Sequence, residues 1–192
     1  MSEITLKRKV TLRDKGDSAL FTFSEKFKIE LLWSTNTDLD LCVFYKTHNG
    51  VEGGVFSNEY RQNVSDLGCF DKFPFILLMG DAKTPSAGGE SNEEIRVKNI
   101  DQLSELYICI VNYGAAIDNK SSTFNQHTGS VEIQTDTSDH LEVLADSDEP
   151  GHVYLICKIE NTNGKKKAIN EKKVYTLGQA FDQIPGFKLI CN

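Results

Sequence analysis

The sequence predicts an all-β fold, an antiparallel two-sheet β-sandwich with a few short helices. Short apolar segments alternate with polar residues at a period of two, and they are rich in Val, Ile, Phe and Tyr. Connectors that carry Gly, Asn, Asp, Ser or Pro separate these segments. About ten strands at this spacing favour a sandwich over a βαβ fold. The 192 residues are predicted to form a single domain, residues 1–192.

The predicted strands follow the apolar segments in chain order. They cover residues 19–23, 27–33, 39–45, 73–79, 93–99, 106–113, 130–135, 140–145, 152–160 and 186–191. A helix is predicted at "TLGQAFDQI", residues 176–184, because Pro185 and Gly186 follow it, and a helical turn is expected near "GAAIDNKSS". The residues expected to be buried are Leu31, Trp33, Leu39, Leu41, Val43, Ile108, Ile110, Val131, Ile133, Leu155 and Cys157.

Charge and hydropathy argue against several classes of function. The net charge of −7 argues against general affinity for nucleic acid or for anionic membranes. No run of about 18 apolar residues occurs, so no transmembrane segment is expected. The first residues lack the apolar stretch of a signal peptide, which predicts a cytoplasmic protein. An acidic cluster at 134–149 and a lysine-rich cluster at 165–173 are interpreted as solvated loops and sheet faces.

The cysteines are predicted to be structural. Their number, five, is odd, and no pair has the C-x-x-C spacing of a zinc knuckle or a redox pair. Cys42, Cys109 and Cys157 lie inside apolar runs, as expected of buried thiols that behave as small hydrophobic groups. No feature ties a histidine to a thiol, so we expect no cysteine or histidine to bind a metal or act as a nucleophile.

The strand "NTDLDLCVFY" carries two aspartates at a spacing that suggests a site. Residues two apart in a strand face the same side, so Asp38 and Asp40 are expected to project together, roughly 6–7 Å apart. Leu39 and Leu41 are expected to face the opposite side. Two adjacent carboxylates repel each other, and a hard cation would relieve that repulsion.

The segment "MGDAKTPSAGGESNEEIRV", residues 79–97, supplies further oxygen ligands in a loop between two predicted strands. Calcium binds 6–8 oxygen atoms from carboxylates, amides, backbone carbonyls and water. The candidate metal ligands are Asp38, Asp40, Asp81, Glu90, Asn92 and Glu93. The spacing is not that of an EF-hand, and on spacing alone an exposed acidic loop without a metal explains it equally well.

These motifs resemble the TerD family of tellurite-resistance and stress proteins. "LLWSTNTDLDLCVFY" is similar to the family's strand with paired aspartates, and "GDAKTPSAGGESNEEIRVKNI" is similar to its acidic loop and following strand. Further segments, "VTLRDKGDSALF", "LYICIVNYGAAIDNKSSTFNQHTGSVEIQTD" and "HVYLICKIE", extend the resemblance over approximately residues 1–190. The resemblance implies a cytosolic β-sandwich that binds calcium, is linked to resistance to tellurite and other stresses, and has no established enzymatic activity.

The match is divergent at the implied calcium loop. Asp38 and Asp40 match the paired strand aspartates, Asp81 matches the acid that opens the loop, and Glu93 matches the glutamate that closes it. However, the family's Gly-Asp-Gly-Asp-Asp core is replaced here by Gly-Gly-Glu-Ser-Asn at 88–92. Because calcium affinity depends on the number of carboxylates, we expect one weak site, with a dissociation constant around 10⁻⁴ M or poorer, or no site.

Three functions compete on this sequence. The first is a calcium-binding stress-response protein that acts as an interaction module, with other proteins of a stress-response complex as its partners. The second is a TerD-fold interaction module that has lost calcium binding. The third is an enzyme or a sugar-binding sandwich, which a single tryptophan and the lack of an aromatic-lined cleft motif disfavour. We therefore predict a protein that is not an enzyme.

Overall fold

The computed structural model describes residues 9–21, 26–80, 91–136 and 139–191, and these ranges contain thirteen strands and two α-helices. The strands are β1 (Lys9–Leu12), β2 (Ser18–Phe21), β3 (Phe27–Trp33), β4 (Asp40–Thr47), β5 (Glu52–Val55), β6 (Gly68–Cys69), β7 (Ile76–Leu78), β8 (Ser91–Val97), β9 (Leu103–Val111), β10 (Gly129–Thr135), β11 (His140–Ala145), β12 (Val153–Thr162) and β13 (Lys165–Tyr175). The helices are α1 (Tyr113–Ile117) and α2 (Leu177–Gln183), and 3₁₀ turns occupy Val64–Leu67, Asn125–His127 and Phe187–Cys191.

The strands form two sheets, as the sequence predicted. Sheet A has seven strands in the order β1-β11-β10-β3-β8-β7-β6, and sheet B has six in the order β2-β13-β12-β9-β4-β5. Neighbouring strands are antiparallel except β1, which pairs with β11 in parallel. The predicted all-β sandwich with few helices is therefore confirmed. No helix in the described ranges is long and apolar enough to cross a membrane.

Apolar side chains are buried on both faces of sheet B. One cluster lies between the sheets and includes Leu41 and Val43 of β4. A second cluster lies on the outer face of sheet B, where α2 and the C-terminal 3₁₀ turn cover it, and it includes Cys42 and Phe44. The side chains of β4 therefore alternate between two apolar layers, because successive residues of a strand point to opposite faces. All eleven residues predicted to be in the core are buried: Leu31, Trp33, Leu39, Leu41, Val43, Ile108, Ile110, Val131, Ile133, Leu155 and Cys157.

The prediction of a strand at 186–191 is wrong, because this segment forms a 3₁₀ turn. Its buried residues, Phe187 and Ile190, are three apart, which is the period of a 3₁₀ helix. Gly186 precedes the turn with a φ of 80°, and a Cβ at this position would lie 2.4 Å from the carbonyl oxygen of Gly53. The close approach to β5 and the positive φ both require glycine, and they turn the chain onto sheet B.

Other elements also differ from prediction, and the strands β1, β5 and β6 were not predicted. The strand expected at 73–79 is shortened to β7, because Phe75 has a φ of 62° and its N–H closes a turn on the carbonyl of Lys72. β13 was not predicted, since Ala168 and Asn170 are its only fully buried residues among many lysines. The predicted helix at 176–184 is confirmed as α2, which begins with a capping box between Thr176 and Gln179.

Candidate functional site

Asp40 is placed at one end of sheet B, where β4 begins. Its neighbour Leu41 faces the core between the sheets, and Cys42 faces the outer cluster, so Asp40 lies on the same side of the strand as Cys42. The carboxylate is partly buried, and the hydroxyl of Tyr60 donates a hydrogen bond of 2.9 Å to its Oδ2 atom. Tyr60 follows β5 in a turn, so a contact across twenty residues of sequence holds this acid in place.

Glu93 reaches the same place from sheet A. In β8 it lies on the same face as the buried Ile95, two residues further on, and it is 3% exposed. Its Oε2 atom accepts a hydrogen bond of 2.6 Å from the backbone N–H of Leu41, which belongs to the other sheet. A buried carboxylate is costly unless hydrogen bonds satisfy it, and this charge-assisted bond offsets part of that cost. Glu93 therefore joins the two sheets next to Asp40.

The carboxylates of Asp40 and Glu93 raise the pKa values of two neighbouring side chains, Cys42 and Tyr60. Burial raises the pKa of the Cys42 thiol well above its ordinary value, the carboxylates of Asp40 and Glu93 raise it further, and a hydrogen bond with Tyr60 acts in the opposite direction. Burial also raises the pKa of Tyr60 well above its ordinary value, and Cys42, Asp40 and Glu93 add to this effect. Negative charge is therefore concentrated at this end of the sandwich, and the thiol and the phenol beside it stay protonated.

Asp38 lies just outside β4 in an exposed position, and the expectation that it projects beside Asp40 stays a prediction. The segment that carries Asp38 is nevertheless held. The indole N–H of Trp33 donates to the carbonyl oxygen of Thr37 at 2.8 Å. Thr35 Oγ1 lies 3.0 Å from Nδ1 of His127. We call Asp38, Asp40 and Glu93 together the acidic end.

His127 was assigned no role from the sequence, yet it anchors the segment before β4. It is 4% exposed, and burial lowers its pKa, so the imidazole is neutral near pH 7. Its backbone carbonyl also accepts a hydrogen bond of 3.3 Å from the N–H of Ser34. The side chain of Gln126 lies 3.2 Å from His127 Nε2 and also donates to Ser122. No sequence signal identified this histidine, because its partners are distant in the chain.

The remaining predicted ligands divide into two groups. Asn92 is exposed on β8, next to Glu93. Asp81 and Glu90 lie outside the described residues. Within 9–21, 26–80, 91–136 and 139–191, no three His, Cys, Asp or Glu side chains are grouped so that they could hold a metal ion. The structure thus brings Asp40 and Glu93 together with Asp38 two residues away, and the complete ligand set stays a prediction.

A second acidic feature, which the sequence pattern did not predict, crosses the outer face of sheet A. Four glutamates are direct cross-strand neighbours on β11, β10, β3 and β8: Glu142, Glu132, Glu30 and Glu94. Like charges placed directly opposite each other destabilise a sheet. Lys9 offsets this by contacting Glu142 at 2.9 Å and Glu132 at 3.3 Å, and Lys28 and Arg96 pair with the other two. The row is charge-compensated, which favours a structural role.

Comparison with known proteins supports the fold and goes no further. No protein-family model and no curated protein matches the sequence. A crystal structure of a homologue of the telluride resistance protein TerD, SCO6318 from Streptomyces coelicolor A3(2), is similar with a TM-score of 0.57 and 11% identity, over 79% of this chain and 90% of that chain. The protein of unknown function SAV2460 is similar with a TM-score of 0.51 and 11% identity, over 78% of this chain and 91% of that chain. This chain therefore has a TerD-like β-sandwich fold, reached with a strongly divergent sequence.

Proposed function

We propose that this protein is a non-enzymatic, calcium-binding protein of the stress-response type that acts as an interaction module in the cytoplasm. Its proposed partners are other proteins of a stress-response complex, and nucleic acid is not among them. The proposed calcium ligands are Asp38, Asp40, Asp81, Glu90, Asn92 and Glu93.

The observation that carries this proposal is the meeting of two carboxylates from different sheets. Asp40 of β4 and Glu93 of β8 both raise the pKa values of Cys42 and Tyr60. Glu93 also accepts a hydrogen bond from the N–H of Leu41, the residue that follows Asp40. Two negative charges at a partly buried position repel each other. A divalent cation bound at this end would be attracted by both of them and would offset that repulsion.

The donor chemistry of the acidic end suits a hard cation. All of its side-chain donors are carboxylate oxygens, and calcium prefers oxygen ligands. Each carboxylate has two oxygens and about four lone-pair positions, so Asp40 can serve Tyr60 and an ion at the same time, and Glu93 can serve the Leu41 N–H and an ion. Calcium, when bound, would join β4, β8 and the 81–90 segment.

A calcium titration followed by thermal unfolding tests the proposal. At 100 times its dissociation constant, calcium should stabilise the fold by about 2.7 kcal/mol. For a protein of this size the Tm should rise by roughly 5–11 °C. Magnesium should have a smaller effect, because it resists dehydration and requires octahedral geometry.

A matched pair of variants makes the test specific. Asp40→Asn should reduce the calcium-dependent shift strongly, because it removes a charged ligand. Asp148→Asn removes an exposed acid whose partner is Asn125 and should leave the shift intact. Equal shifts in the two variants would show that calcium binds elsewhere.

The second candidate is a TerD-fold interaction module that does not bind calcium. One observation favours it: protein groups already donate hydrogen bonds to both carboxylates, Tyr60 to Asp40 and the Leu41 N–H to Glu93. If those bonds satisfy the acids, no ion is needed. The absence of any change in Tm at millimolar calcium would reject the first candidate and leave this one.

A further inference from the structure

Helix α1 presents two apolar side chains to solvent beside the acidic end. Tyr113 is 36% exposed and Ile117 is 66% exposed. They are four residues apart in the helix, so they lie on the same side of it. Exposed apolar groups that share one face of an element and adjoin charged groups are typical of binding surfaces.

The sheet register places this helix next to the acids. Asp40 lies opposite Val111 in the antiparallel pair of β4 and β9. The chain just before Asp40 and the chain just after Val111 therefore leave sheet B at the same edge, which brings Asp38 and α1 to one end of the molecule. Side chains connect them directly: the rings of Tyr60 and Tyr113 are 4.8 Å apart, and Tyr60 donates its hydrogen bond to Asp40.

Hydrogen bonds of the buried Asn112 fix the N-terminus of helix α1. A five-residue helix has little stability of its own. Asn112, which is 3% exposed, caps it by accepting a hydrogen bond of 3.0 Å from the N–H of Ala115. The amide of Asn112 in turn donates to Ser122 at 3.1 Å. Tyr113 and Ile117 are thus displayed on a fixed support, which reduces the entropy lost on binding.

We propose that Tyr113 and Ile117, together with Asp38 and Asp40, form a docking surface for a basic amphipathic peptide segment of a partner protein. The apolar side chains of the segment would cover Tyr113 and Ile117, and its Lys or Arg side chains would face the carboxylates. Charge complementarity selects this occupant, since the surface joins apolar and acidic groups and the whole chain carries a net charge of −7. The inference rests on the proposed role as an interaction module but requires no calcium.

Fluorescence anisotropy of a labelled peptide tests the proposal, with the full chain in a buffer that contains EGTA to remove calcium. The probe is a fluorescein-labelled peptide that repeats Leu-Lys-Lys-Leu, with two control peptides in which all Lys are replaced by Glu or all Leu by Ser. Binding of the Leu/Lys peptide in preference to both controls is expected. Failure to bind it, or equal binding of the Ser-containing peptide, would overturn the proposal, because the latter indicates general electrostatic attraction.

Four variants assign the surface. Ile117→Ser and Asp38→Asn should each weaken binding by about fivefold or more, the loss that corresponds to roughly 1 kcal/mol at an important contact. Leu20→Ser, at an exposed apolar residue of the edge strand β2, and Asp148→Asn are the matched controls and should bind as the wild type does. Equal losses in Ile117→Ser and Leu20→Ser would overturn the proposal. The calcium-dependent change in Tm is measured separately, so a failure of calcium binding and a failure of this surface give different results.

Discussion

Replacing Tyr60 with phenylalanine removes the hydroxyl that donates a hydrogen bond to the acidic end. The hydroxyl of Tyr60 donates to Oδ2 of Asp40 at 2.9 Å, and the ring also packs against Phe56 and Tyr113. Phenylalanine preserves the ring contacts and removes the hydroxyl, together with its contact with the Cys42 thiol. A hydrogen bond to a charged group contributes about 1.5–3 kcal/mol to stability. Tyr60→Phe should therefore lower the free energy of unfolding by about 2 kcal/mol and the Tm by roughly 4–8 °C.

Urea unfolding and thermal unfolding, both in EGTA, measure this loss. Tyr113→Phe is the matched control, because Tyr113 is partly exposed and its hydroxyl makes no hydrogen bond within the described residues. The control should change stability by less than about 0.5 kcal/mol. If Tyr60→Phe is as stable as the wild type, the hydrogen bond does not stabilise Asp40, and the argument that protein groups satisfy this acid is refuted. Under the calcium proposal, Tyr60→Phe keeps its calcium-dependent gain in Tm.

Three further predictions concern protonation and thiol reactivity. Burial lowers the pKa of His127 in the folded state. The contribution of His127 to stability is therefore complete above its ordinary pKa of about 6.5 and is lost as the pH falls through the lower folded-state pKa. His127→Gln should flatten the pH dependence of Tm in this range. Burial raises the pKa of Glu142, but hydrogen bonds from Lys9 and Thr11 leave it below its ordinary value, so its contribution is lost as pH falls through that folded pKa; Lys9→Met should move acid unfolding to higher pH. Burial raises the pKa of Cys157 to about 12, so a thiol reagent should modify the exposed Cys191 in the native protein and reach Cys157 only after unfolding, as mass spectrometry would show.

The sequence by itself determined the fold class and the inward face of most strands. Period-two alternation predicted β3 and β11 with their observed bounds and the burial of Leu31 and Trp33, because a strand with one face in the core must alternate. It failed at 186–191, where an apolar run of the same composition packs as a 3₁₀ turn. Composition does not distinguish these conformations when the covering layer is a short C-terminal segment.

The candidate site was predictable in part. Asp40 and Glu93 were identified from residue type and from the resemblance of their motifs, which requires no knowledge of distance. Their partners were not identified: Tyr60 is twenty residues from Asp40, and His127 is more than ninety residues from Thr35. Side-chain hydrogen bonds between distant segments leave no periodic trace in the sequence, so these contacts emerge only when both sheets are in place.

Tertiary structure alone decided which charges meet. Glu93 reads in the sequence as one member of an acidic loop, but the pairing of β8 with β3 turns it inward, where it binds the backbone of β4. Its neighbour Glu94 faces outward and joins a row of glutamates whose members are separated in the sequence by up to 112 residues. The physical reason is strand register: a shift of one residue would exchange the two faces and move Glu93 away from Leu41.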